Sequence, residues 1–111
     1  MDKRSYKLSD LATVIRSKNA GPFLITLDVF FKDEKMFRLV RDSGAVSKRR
    51  IAEIYNIRED DIHEVTFFEP AETLKITMTR WISSAAPGDT DVFGAQQHVP
   101  LMNFSLELAL N

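Results

Sequence analysis

A chain of 111 residues, 44% hydrophobic and 28% charged, has the size and composition of one globular domain. Its net charge of −1 provides no bulk attraction to nucleic acid or anionic membranes, and no apolar run nears the ~20 residues that span a bilayer. Without cysteine, disulfides, thiolate catalysis and cysteine-ligated zinc are excluded, and a cytoplasmic location is expected.

The start, "MDKRSY", has basic residues but no apolar run behind them, so residues 1–7 read as a polar lead rather than a secretory signal. Ser9 is placed to cap a first helix, with Leu8, Leu11, Ala12 and Ile15 forming one apolar stripe. Gly21 in a left-handed position and Pro22 should end it. In "FLITLDVFF", Phe23, Ile25, Leu27, Val29 and Phe31 share one face. Leu24 and Phe30 make the other face largely apolar too, which predicts a central strand.

Asp33 should cap a helix carrying Met36, Phe37 and Val40 that ends at Gly44. Ser47 should cap another, with Ile51, Ile54 and Tyr55 at helical spacing and Asn56 as its stop. A strand begins near Ile62, a turn falls at Pro70, and "TLKITMTRWI" alternates Leu74, Ile76, Met78 and Ile82 with Thr73, Lys75, Thr77, Thr79 and Trp81. Strand–helices–strand order followed by a tight hairpin predicts an α+β ferredoxin-like sandwich: a mixed β-sheet with helices packed on one face. Residues 83–100 are then a long ordered loop, and "MNFSLELAL" returns as an edge strand of a single domain spanning 1–111.

That loop holds "PGDTDVFGAQQHVP", the most polar feature of the chain. Stretches of such length inside compact domains are usually functional or disordered, and Val92, Phe93, Val99 and Leu101 offer anchors for an ordered one. Asp89, Asp91, Gln96, Gln97 and His98 are candidates to bind a ligand or a partner protein. A calcium loop counted from Asp89 places Gly94 correctly at position 6, yet puts Phe93 at position 5 and Pro100 at position 12, where a glutamate is needed. Zinc would require ligands from elsewhere, and His63 is the only other histidine. No metal and no cofactor are therefore expected. The bland alternative is that Asp89 and Asp91 only cap turns.

In "RSKNAGPF", Asn19 and the amides around Gly21 form a second candidate site, with Arg16 or Lys18 supplying charge to an anion. A plain capping turn is the competing reading, since one glycine matches no phosphate-cradling fingerprint. Arg80 interrupts an apolar face and is a candidate carboxylate clamp, or else it snorkels at the sheet end. "SKRRIAEIYNI" looks like half of a helix-turn-helix, but "REDDI" follows with three acids where a recognition helix should stand, so no nucleic-acid partner is expected. No G-x-S-x-G elbow frames any serine.

The blocks "LSDLATVIRSKNAGPFLITLDV", "VTFFEPAETLKITMTR" and "PGDTDVFGAQQHVPL" together resemble a small uncharacterised bacterial and archaeal domain family. That family is similar to the ferredoxin-fold C-terminal region of acyclic-terpene-utilisation-type proteins. The resemblance implies a small accessory subunit of a larger catabolic protein handling carboxylic acids or their coenzyme A esters. It supplies no catalytic residue. It places Asn19, Gly21, Asp89, Asp91, Gly94, Gln96, Gln97 and His98 in signature blocks. Two alternatives stand beside it: a free-standing hydro-lyase or isomerase with His98 as general base oriented by Asp89 or Asp91, and a homo-oligomeric binding module.

Overall fold

A computed structural model describes residues 3–79 and 99–108. In chain order the elements are β1 (Arg4–Lys7), α1 (Leu8–Leu11), β2 (Ala12–Gly21), β3 (Leu24–Phe31), α2 (Glu34–Ser43), α3 (Lys48–Tyr55), β4 (Ile62–Phe68), β5 (Thr73–Thr79), α4 (Val99–Met102) and β6 (Ser105–Leu108). The class is α+β. Four strands lie in the order β2-β3-β5-β4, and β1 with β6 makes a separate two-stranded ribbon.

The first predicted helix is the main departure. Only Leu8–Leu11 turn helically, held by the Lys7 N–H donating to Asp10 Oδ2 at 3.0 Å. From Ala12 the chain is extended and pairs with β3 as a hairpin. The β-branched run Thr13, Val14, Ile15 favours that strand, since such side chains lose rotamer freedom in a helix. Leu8 and Leu11 are buried in the turn and Ile15 half-buried in the strand, so both conformations use the same apolar positions. Gly21 is consequently the last residue of a strand, not a helix stop.

That substitution alters the sheet. Every neighbouring pair is antiparallel, in place of the expected mixed sheet. β3 and β4 do run parallel to one another, but β5 lies between them and pairs antiparallel with both. In this split arrangement α2 and α3 lie on the connection between β3 and β4. The edge beside β3 is filled by β2 through a hairpin instead of by a strand following a further helix. β6 likewise pairs with β1, joining the polar lead to the chain's last described residues instead of edging the main sheet. Val99 and Pro100, expected within the long loop, are already helical in α4.

The remaining elements follow the predicted chemistry. Asp33 Oδ1 accepts the Met36 N–H at 2.9 Å to start α2, and Gly44 ends it at φ +69°. Ser47 Oγ accepts the Arg50 N–H at 3.2 Å to start α3, and Asn56 ends it at φ +55°. Both ends use residue types that tolerate the left-handed region. The central strand is buried from Ile25 to Val29, but Phe23 lies before it and, like Leu24, stays exposed against the expectation of burial on both faces.

One sheet face carries the core. Ile25, Leu27, Val29 and Phe31 of β3 share it with Leu74, Ile76 and Met78 of β5 and with Ile62 of β4. Phe37, Val40 and Ile51 from the two helices close over it. Phe37 stands edge-on to Phe31 and Phe67, with ring centroids 5.8 and 5.7 Å apart, a favoured aromatic geometry. Leu101, Phe104, Leu106 and Leu108 extend the same core toward the ribbon.

Candidate functional site

The opposite sheet face carries different chemistry. Because residues alternate, Leu24, Thr26, Asp28 and Phe30 of β3 point away from the helices. Cross-strand register sets the rows around them. Arg16 faces Asp28, which faces Lys75, which faces Thr66; one row along, Lys18 faces Thr26, which faces Thr77, which faces Glu64.

Within the first row, Arg16 Nε lies 3.4 Å from Asp28 Oδ2, and its guanidinium sits 4.9 Å above the Phe30 ring. Asp28 is 7% exposed and Thr26 5%, so both are buried polar groups on a face without a helical cover among the described residues. Burying a carboxylate is costly unless a cation answers it, and Arg16 and Lys75 flank this one from both neighbouring strands. In the second row, Glu64 is engaged: Thr66 donates to it at 3.0 Å and Thr77 at 3.3 Å. His63 occupies the irregular register between Ile62 and Glu64, with its Nε2 2.6 Å from Thr79 Oγ1. The bulge turns that imidazole toward this face, an orientation the sequence left open.

Apolar residues border the polar strip. Among the described residues, the large apolar side chains that stay exposed are Val14, Phe23, Leu24 and Phe68. Val14 pairs with Phe30, Phe68 with Thr73 and Leu24 with Thr79, all on the face away from the core. The sequence reading missed this strip because Leu24 and Phe30 dominated the impression of β3's second face. The signal was present in the alternate positions Thr26 and Asp28 of "LITLDVF", and in Arg16 and Lys18 once "TVIRSKN" is read as a strand.

The other candidates separate. Asn19 pairs with Ile25 and so sits on the helix-bearing side, whereas Arg16 and Lys18 project to the opposite side. The structure therefore does not gather the "RSKNAGPF" constellation at one point. A Cβ added at Gly21 would meet only Leu24 atoms at 3.9 Å, an ordinary contact. Arg80, Trp81, Asp89, Asp91, Gly94, Gln96, Gln97 and His98 lie outside the described residues. Among the described residues no group of three or more histidines and acids could hold a metal, and no helix is long and apolar enough to cross a membrane. The hollow beside α2, lined by Glu34, Arg38 and Asp42, is open to solvent, and those residues are ion-paired.

A small α+β body with one sheet face packed by helices and the other presenting an amphipathic strip is thus the class of domain that fold and surface define. The chain belongs to the family described as a domain of unknown function, DUF4387, whose model matches residues 8–105. No curated protein and no solved structure matches it.

Proposed function

We propose that this domain is an accessory subunit, which docks on a larger catabolic protein of the acyclic-terpene-utilisation type in the cytoplasm. There it completes or shapes a site for carboxylic acids or their coenzyme A esters. The observation that carries the proposal is the division of the sheet: a core of ordinary size on one side, and on the other a strip of cations and buried polar groups edged by exposed Val14, Leu24 and Phe68. Exposed apolar residues grouped with polar ones are the usual mark of an interaction surface. The ferredoxin-like reading belongs to the same proposal, supported by the β3-β5-β4 order with α2 and α3 on the connection.

Asp89, Asp91, Gln96, Gln97 and His98 are the residues this reading assigns to the ligand or to the partner. Co-expression of the chain with a protein of that type from the same genome, followed by co-purification and light scattering, tests it. A stoichiometric complex is expected. A chain that remains alone with the candidate partner present at micromolar concentration refutes the reading.

A further inference from the structure

We infer that the helix-free face of the four-stranded sheet is the docking surface itself, and that it receives a different protein, one whose surface sets carboxylates between apolar side chains. The inference rests on the accessory-subunit reading and specifies which face of the domain makes the contact and with what chemistry.

Three cations lie on this face, Arg16, Lys18 and Lys75. Arg16 is answered by Asp28. Lys18 and Lys75 have no ion-pair partner among the described residues. Glu64, the other acid on the face, is taken up by Thr66 and Thr77. An excess of positive charge therefore collects here on a chain whose net charge is −1. Between the two lysines lies Thr26, 5% exposed, whose hydroxyl makes no hydrogen bond among the described residues. A buried hydroxyl without a partner is uncommon and costs free energy unless something answers it.

Apolar side chains flank that centre at both ends. Leu24 stands at one end, and Phe30, Val14 and Phe68 at the other, six residues along β3, or about 20 Å at the strand rise. A surface that sets exposed apolar side chains around charged ones suits a protein partner.

Charge decides against a second copy of the chain. Stacking two of these faces about a two-fold axis would set Arg16, Lys18 and Lys75 against one another, with both acids already engaged. A heterologous partner carrying acids opposite Lys18 and Lys75 meets neither penalty.

The test measures binding of the larger protein of the proposed assembly to the wild-type chain, to Lys18→Glu/Lys75→Glu and to Phe68→Ser by calorimetry at two salt concentrations. Arg49→Glu on α3 serves as control, because its side chain is 81% exposed and lies on the helix layer. Expected is a loss of at least about tenfold for the charge-reversed chain and for Phe68→Ser, with the salt dependence reduced in the former and Arg49→Glu unchanged. Wild-type binding that both face variants retain within about twofold overturns the docking face and leaves the accessory reading standing. Absence of wild-type binding overturns both.

Discussion

Arg16 and Asp28 face each other across β2 and β3 with Nε 3.4 Å from Oδ2, and they are unequally placed: the arginine side chain is 57% exposed and the aspartate 10%. The pair is therefore asymmetric in energy. Removing the aspartate leaves a guanidinium that water can solvate, whereas removing the arginine leaves a carboxylate that water barely reaches. Arg16→Ala should destabilise the domain by about 1–2 kcal/mol, with Lys75 softening the loss from the other side. Asp28→Asn should stay within about 1 kcal/mol. Urea unfolding of the two variants, compared at constant slope, gives the difference, and equal losses would contradict the asymmetry.

Gly44 and Gly21 carry opposite expectations. Gly44 closes α2 at φ +69°, where a Cβ is strained although nothing lies within 4 Å of it. Gly21 ends a strand, and its added Cβ would touch Leu24 atoms at 3.9 Å. Gly44→Ala should cost about 1 kcal/mol, and Gly21→Ala should be neutral or stabilising by roughly 0.5 kcal/mol. Thermal unfolding followed by circular dichroism reads both. A large loss at Gly21 would mean that its backbone serves something other than the hairpin.

The same two glycines show what was legible in the sequence. Gly44 and Asn56 were readable as helix stops because Asp33 and Ser47 upstream supply capping oxygens at the proper spacing, a local code that needs no tertiary partner. Gly21 was misread because Leu8, Leu11, Ala12 and Ile15 satisfy a helical stripe as well as they serve a turn followed by a strand. Propensity is a weak prior there, and pairing with the buried β3 decides it. The strip containing Lys18, Thr26 and Lys75 was hidden for the same reason: three separate strands bring it together, and one of them had been read as a helix. The candidates from Arg80 to His98 came from strand alternation, loop length and the family resemblance, and they fall outside the described residues.

Tyr55 ends α3 against α4. Burial pushes its phenol well above the ordinary value of 10.0, while a hydrogen bond with the Leu101 backbone pulls the other way. The unfolded chain ionises this group near its ordinary value, so above that pH the folded chain holds one more proton than the unfolded one. Stability from this residue is complete below about pH 10 and falls as the pH rises further. Absorbance titration at 295 nm should show the Tyr55 phenol remaining protonated until the fold opens. In Tyr55→Phe the alkaline loss should disappear, at a cost of about 1 kcal/mol at neutral pH for the lost hydrogen bond. Ionisation of Tyr55 near the ordinary value of 10.0 in the still-folded chain would show that the ring is solvated.

Phe37 and Phe68 provide a contrast between the two sheet faces. Phe37 is fully buried, with Phe31 and Phe67 edge-on to it and Arg41 5.7 Å from its centroid. Phe68 is 53% exposed on the face that α2 and α3 leave open. Phe37→Ala removes the ring that joins α2 to the sheet and should cost about 3–5 kcal/mol, a large share of the stability of so small a domain. Phe68→Ser truncates a ring that already stands half in solvent, so the isolated chain should lose far less, about 1 kcal/mol or under. Its main effect should emerge in complex, where the serine no longer fills the partner's apolar contact. Measuring both variants free and bound separates a residue kept for folding from one kept for association. A Phe68→Ser chain that unfolds as readily as Phe37→Ala would place Phe68 in the core and remove it from the docking face.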